Sequence, residues 1–241
     1  MTADVFGKAL LEWARGDTTP EVVEREDGFT QIGAGREVYL SRFAGWPAAE
    51  RQSLRHVRGR VVDVGCGAGR VALELELRGF DVVGLDASSR AIEAATLRGL
   101  SNVWRASIDD LGRKIDSFDS VVLYGNNFGL FETPERARAL LSEWAVKSRP
   151  FTRLFLESTS AYFGGAPGMD RSYYRRNREL GRPPGTVRLR YRYDDEVGGW
   201  FTWLFVSPRE MRSILRGTGW RQTRVLSSRT SEPYVAVVER G

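Results

Sequence analysis

Apolar positions along the chain follow two alternating periods. Val61 and Val62 form a β-branched run closed by Asp63, the pattern of a buried strand, and after the glycine-spaced loop Gly65, Gly67 and Gly69 the segment VALELELR takes helical spacing. The succession then repeats. GFDVVGLD is a second apolar strand ending at Asp86, with Ser88 placed to cap the helix SRAIEAATLRG and Gly99 to stop it. NVWRAS predicts a short third strand, FDSVVLY a fourth with Val121 to Tyr124 buried, and TRLFLES a fifth ending at Glu157. Between the last two, Thr133-Pro134-Glu135 opens a helix through Lys147. Ser207-Pro208-Arg209-Glu210 reads as a capping box for a helix ending near Gly217, and RQTRVLSS and YVAVVER are two final strands. Strands separated by helices argue an α/β fold around a mostly parallel sheet.

The flanking segments follow other patterns. Val5, Ala9, Leu10 and Trp13 lie on one face of an amphipathic helix ended by Gly16. Thr19-Pro20 looks like the N-cap and first position of a short second helix, FTQIGAGREVYLSRF resumes helical spacing with Val38, Tyr39 and Phe43, and another helix begins at Pro47. Residues 1–56 are therefore expected to be helices and loops. Residues 158–206 form an insertion after the fifth strand. Near its end Val187, Leu189, Tyr191 and Tyr193 fall on one strand face and Arg188, Arg190 and Arg192 on the other, and WFTWLFV can pair back as a hairpin after DDEVGG.

Length, charge and rare residues narrow the picture. A chain of 241 residues is one domain, with insertions, and should bury ~70% of its unfolded surface. Cys66 is the only cysteine, which excludes a disulfide framework and a cysteine-based metal site, and its place in the glycine loop suggests packing. The N-terminus lacks a basic start followed by an apolar run, and no segment approaches the ~18 uninterrupted apolar residues of a membrane span. A soluble, cytoplasmic protein is expected. His56, the only histidine, precedes the first strand of the apolar series, at the end facing away from the ligand edge, so the usual general base is missing. Formal net charge is +5, and residues 170–193 hold eight arginines against Asp170 and Glu179. That concentration points at an anionic partner, or at a solvated arginine face balanced by Asp194, Asp195 and Glu196.

The strand, glycine loop and helix at residues 60–77 make the kind of junction that presents unpaired backbone N–H groups at the C-terminal edge of a sheet, where open α/β folds bind nucleotide-like ligands. The spacing is G-x-G-x-G preceded by an acid; Arg70 occupies the place a dinucleotide fingerprint gives to a third small residue. The stretch D-V-G-C-G-A-G resembles the first motif of the class I S-adenosylmethionine (SAM) dependent methyltransferases, and Asp86, seventeen residues after Gly69, matches the acid that takes the ribose hydroxyls.

The resemblance implies a Rossmann-like seven-stranded sheet, mostly parallel with the last strand antiparallel. It also implies an N-terminal helical lid over residues 1–56, a SAM-binding core over 57–241 and a substrate-capping β-hairpin insertion over 158–206. Helices packed on the sheet edge remain the plain alternative to a lid. Cofactor contacts are implied for Asp63, Gly65, Cys66, Gly67 and Gly69, for Asp86 and Ala87, for Ser107 and Ile108 at the adenine, and for Tyr124 and Gly125, with Tyr124 near the sulfonium. No metal is required.

Substrate-facing positions are implied for Tyr39, Asn126, Phe128, Tyr173, Tyr174 and Arg175. The exit Gly125-Asn126-Asn127-Phe128 resembles loosely the Asn-Pro-Pro-aromatic motif of amino-group methyltransferases, with both prolines missing. Asn127 can accept a hydrogen bond from a nucleophile and orient it, or the loop can simply satisfy itself; Glu157 is a candidate base or a cap. The leading expectation is methyl transfer from SAM to an oxygen or nitrogen of a small molecule. A nucleic-acid methyltransferase is the alternative, since arginines interleave with Tyr173, Tyr174, Tyr191 and Tyr193, although no RNA-binding module or cysteine cluster is appended. A SAM-binding protein without transfer activity is the third reading.

Overall fold

The computed structural model describes residues 4–115, 117–160, 171–227 and 233–241. In chain order its elements begin with α1 (Val5–Arg15), β1 (Val22–Arg25), β2 (Thr30–Ile32), α2 (Gly35–Tyr39), α3 (Ala48–Ser53), β3 (Arg60–Val64) and α4 (Arg70–Leu77). They continue with β4 (Asp81–Asp86), α5 (Ser89–Leu97), β5 (Val103–Arg105), α6 (Leu111–Lys114), β6 (Ser120–Leu123), α7 (Pro134–Lys147) and β7 (Arg153–Ser158). The remainder is α8 (Arg171–Glu179), β8 (Thr186–Tyr193), β9 (Glu196–Val197), β10 (Phe201–Leu204), α9 (Pro208–Leu215), β11 (Trp220–Leu226) and β12 (Tyr234–Arg240).

Seven of these strands make the expected sheet, in the order β11-β12-β7-β6-β3-β4-β5. β4 and β5 run parallel, as do β6 and β7, whereas β12 is antiparallel to both β7 and β11. Strands β3, β6 and β7 are buried almost residue for residue. That is why they read as continuous apolar runs rather than as alternations, the mark of strands covered on both faces. The chain divides into two compact units, one of residues Met1–Trp46, Val62–Ile108 and Arg188–Phe201, the other of Pro47–Val61, Asp109–Val187 and Thr202–Gly241.

A second sheet, β10-β8-β1-β2 with β9 beside β8, corrects the reading of the N-terminal segment as purely helical. Thr19-Pro20 caps no helix. The chain runs instead into β1, which pairs antiparallel with β2, Val22 opposite Ile32, and with β8, Val23 opposite Tyr191. The partner strand is 166 residues away, as the Glu24 and Arg190 side chains show by hydrogen-bonding across it. Long-range pairing of a β-branched segment outweighs the local helix signal there. The hairpin expected from the alternation is present: β10 pairs with β8, Val187 and Tyr193 are buried, and Arg188 and Arg192 are exposed. Residues 161–170 of the insertion lie outside the described residues. Beyond them α8 is a helix the sequence reading did not assign, anchored by Asn177, whose Nδ2 donates to the carbonyls of Pro184 at 2.8 Å and Thr186 at 2.7 Å.

Local signals explain the remaining boundaries. Gly16 ends α1 in the left-handed region, φ 115°. Ser88 and Thr133 cap α5 and α7 through side-chain bonds to the N–H groups of Ala91 and Arg136. Ser207 and Glu210 make the full capping box at α9. Trp13, fully buried on α1, donates Nε1–H to the Thr19 carbonyl at 2.7 Å, and Tyr193 donates its hydroxyl to Asp17 at 2.6 Å. The first bond ties α1 to its exit, and the second ties that exit to β8.

Two predictions follow from these ties. Ser207→Ala is expected to destabilise the protein by about 1 kcal/mol, measured by urea denaturation. The Tyr193 hydroxyl, followed by the Thr19 N–H and hydroxyl, lowers the Asp17 carboxyl from 3.8 to about 2. A depressed acid contributes stability that is full above its unfolded pKa and lost as pH falls through the folded one. A carboxyl NMR titration should therefore place Asp17 near 2, and Tyr193→Phe should return it toward 3.8.

Candidate active site

The glycine loop follows β3 and leads into α4, with Gly69 as the N-cap residue at φ 78°, a conformation that disfavours any residue with a Cβ. Its backbone is held to the end of β4. The N–H groups of Gly65 and Cys66 both donate to the Leu85 carbonyl, at 2.8 and 2.9 Å, and the Gly67 N–H donates to Asp86 Oδ2 at 2.9 Å. The Gly69 N–H donates to the Cys66 carbonyl. The sequence led us to expect unpaired N–H groups in this loop; these four are paired internally. A loop paired in this way is a poor phosphate cradle and suits a ligand without phosphate.

Asp63 is buried and accepts the Ala72 N–H at 3.1 Å, joining the end of β3 to the first turn of α4. Asp86 accepts from the Ser88 N–H at 2.9 Å with its other oxygen, and burial raises its carboxyl above the usual range, partly offset by these backbone donors. A carboxylate offers about four lone-pair sites, so two remain for a further pair of hydroxyl donors. Cys66 is buried, and burial followed by the charges of Asp86 and Asp63 pushes its thiol well up, which leaves it an uncharged packing group. The Ala87 carbonyl accepts from Arg105, and the loop Ala106-Ser107 leads into a short turn beginning at the buried Ile108.

Helix α1 rests on this loop. Asp4 caps α1 by accepting the Gly7 N–H at 3.2 Å and takes the Ser88 hydroxyl at 2.6 Å. A Cβ at Gly7 would lie 2.1 Å from Ser88 Oγ and 2.4 Å from Asp4 Oδ1, so a larger residue there would displace this pair. Leu10 and Trp13 join Ala68 of the glycine loop and Ala91 and Ala94 of α5 in one apolar cluster, with Phe6, Tyr39 and Tyr191 packed half-buried against it. Tyr39 thus sits in an aromatic group, stacked on Trp13 at 5.8 Å.

The exit of β6, in the other unit, is built around Glu157. This side chain is buried at the end of β7, and its two oxygens accept the N–H groups of Gly125 at 3.0 Å and Asn126 at 3.2 Å. Asn126 adopts φ 63°, ψ 21°, a left-handed conformation asparagine tolerates better than most residues. Its Oδ1 accepts the hydroxyl of buried Thr159 at 2.7 Å, which turns the amide so that Nδ2 is the group left to donate. Tyr124 is buried and its hydroxyl pairs with Ser53 at 2.5 Å.

Asn127 begins the turn Asn127–Phe131. Phe128, expected at the mouth, has no exposed surface: its ring meets Phe131 at 5.1 Å, and Phe131 meets Trp144 at 5.6 Å, so it is core. Tyr173 and Tyr174 are likewise buried on α8, while Arg175 is exposed. Thr159 and Ser53 carried no sequence signal, because each acts only through a partner brought to it by the fold. On the outer face of β8, Arg190 is paired with Glu24 at 2.8 and 2.9 Å and lies over the Trp200 ring at 4.6 Å, which neutralises part of the arginine stripe. Among the described residues no group of three or more His, Cys, Asp or Glu side chains could hold a metal ion, and no helix is long and apolar enough to cross a membrane.

Comparison with known proteins places this arrangement. Residues 61–148 match the family model described as a methyltransferase domain. The whole chain superimposes on a SAM-dependent methyltransferase from Bacteroides fragilis, solved with S-adenosyl-L-homocysteine (SAH), with TM-score 0.82 and 20% identity over 100% of this chain and 98% of that one. A SAM-dependent methyltransferase from Methanosarcina mazei aligns with TM-score 0.60 and 21% identity over 78% of this chain and 95% of its own. The sugar N-methyltransferase KedS8 from a Streptoalloteichus species aligns with TM-score 0.56 and 15% identity, over 82% and 90%. No curated protein matches the sequence. Residues 61–148 thus carry a methyltransferase domain, and the fold of the chain is that of the SAM-dependent methyltransferases.

The Asn126 clamp yields a prediction. Thr159→Val removes the donor that orients the amide and is expected to lower kcat/KM for the methyl acceptor at least tenfold, equivalent to about 1.4 kcal/mol. Cofactor affinity, measured calorimetrically on the same variant, should stay unchanged.

Proposed function

We propose that the protein transfers the methyl group of SAM to a nitrogen or oxygen of a small molecule. The observation that carries this reading is the pairing of the glycine loop with Leu85 and Asp86, which leaves two carboxylate lone-pair sites beside a loop that has already committed the N–H groups of Gly65, Cys66 and Gly67. Asp86 would hold the ribose hydroxyls of the cofactor, and Gly65 to Gly69 would shape the wall beside it. Tyr124 and Gly125 of the β6 exit would border the reacting methyl, with Asn126 and Asn127 facing the acceptor. Bound SAM supplies a sulfonium-activated methyl group for in-line displacement. The residues of this chain bind, orient and exclude water: Glu157 and Thr159 fix Asn126, and Asn126 Nδ2 donates to the acceptor.

A small acceptor is favoured over nucleic acid because Glu24 already pairs with Arg190 and lies 4.0 Å from Arg192. Kinship of fold with a sugar N-methyltransferase agrees with a small acceptor, and with nitrogen as the atom.

Calorimetric titration with SAM and with SAH tests the cofactor assignment. Wild type is expected to bind both, and Asp86→Ala to bind at least tenfold more weakly, a loss of about 1.4 kcal/mol. A folded wild-type protein that binds neither would overturn the reading. Turnover of a methyl acceptor by the SAM-binding wild type excludes the non-catalytic alternative.

A further inference from the structure

The inner face of the second sheet carries a carboxylate that the proposed chemistry does not use. Val22 stands opposite Arg192 and Val23 opposite Tyr191, so strand alternation places Glu21 on the side of Val23, Tyr191 and Tyr193. Glu24, Arg190 and Arg192 occupy the outer side, where they pair with one another. Glu21 has no exposed surface. Its Oε2 accepts the Gly35 N–H at 3.1 Å, and its Oε1 has no hydrogen-bond partner. The space for this oxygen exists because residue 33 is glycine: a Cβ there would stand 2.0 Å from Oε1. Only backbone N–H groups oppose the cost of burying it, and no cationic side chain does. A turn-holding role accounts for one oxygen and leaves the other unexplained.

Aromatic rings gather on the same face. Tyr191 stacks on Phe6 at 4.6 Å and on Phe201 at 5.4 Å, and Phe6 meets Tyr39 edge-on at 5.0 Å. Burial raises both phenols, Tyr39 further through the charges of Tyr191 and Glu21 against a lowering by Arg70, and Tyr191 further through the charge of Glu21. A buried carboxylate with one oxygen unpartnered and no cationic side chain bonded to it, beside a cluster of phenol and phenyl rings, is complementary to an organic cation. A neutral alcohol brings no charge to it, and an anion is repelled.

We propose that Glu21, with Tyr39, Tyr191 and Phe6, forms a recognition site for a basic amine of the acceptor, bound as its ammonium. This rests on the small-molecule methyltransferase reading and narrows it to amine-bearing acceptors. Glu21 acts here in binding and specificity, and no proton or methyl transfer is assigned to it.

The test uses the full chain saturated with SAH, titrated with choline and with dimethylbutanol, its uncharged carbon isostere. Wild type is expected to bind choline at least tenfold more tightly than the isostere, a preference that weakens with added salt. Glu21→Gln should abolish the preference while SAH affinity is retained. If that variant does not fold, Tyr191→Leu replaces it, with a tenfold fall in choline affinity expected. Equal binding of the two probes by wild type, a preference that survives Glu21→Gln, or unchanged choline affinity in Tyr191→Leu would each overturn the proposal. Failure of wild type to bind SAH would instead strike the methyltransferase reading itself, so the two failures are distinguishable.

Discussion

The candidate cofactor site depends on three hydrogen bonds between a loop and a strand end. Leu85 offers one carbonyl to two successive loop N–H groups, and Asp86 takes a third. A sharp glycine-rich turn has many accessible conformations and would lose much entropy on ligand binding. Bonding it to the last residues of β4 removes that freedom in advance and sets the Asp86 carboxylate at a fixed height above the strand. The same bonds consume N–H groups that a phosphate would need. Order and selectivity therefore have one cause.

The β6 exit repeats the principle with a side chain in place of a carbonyl. Glu157 receives two backbone N–H groups, and Thr159 holds the amide of Asn126, whose left-handed backbone would otherwise relax. Such a residue persists only when its surroundings over-determine it, and the strain is then available for positioning. The carboxylate the sequence offered as a base is, in this geometry, the support of a neighbouring residue. Absence of a histidine base is compatible with transfer to a neutral amine, which needs alignment more than proton removal.

Around α1 the polar ties reach across the chain. Asp4 reaches Ser88, Asp17 accepts from Tyr193, and Lys8 lies within 3.1 to 3.8 Å of Glu196, Asp194 and Asp195. Solvent screens the Lys8 group, so it contributes direction more than stability. The apolar contacts of Leu10 and Trp13 with the glycine loop and α5 supply the larger driving force. The acidic turn after β8 thus has a defined task on α1, while Arg190 and Arg192 are balanced by Glu24 of β1.

The sequence by itself determined the seven-stranded sheet, the glycine loop, Asp86, and the helix caps at Ser88, Thr133 and Ser207. Each of these is written in neighbouring residues, as a continuous apolar run, a fixed spacing or a capping oxygen three positions before its N–H. Tertiary structure alone decided that residues 22–25 and 30–32 are strands, because their pairing partner β8 is far along the chain and a short segment has no local pattern strong enough to announce it. It also decided that Phe128, Tyr173 and Tyr174 are core, and that Thr159 and Ser53 matter to the β6 exit. The isolation of Glu21 belongs to the same group, since a carboxylate in a sequence is charged and solvated until a fold takes the water away.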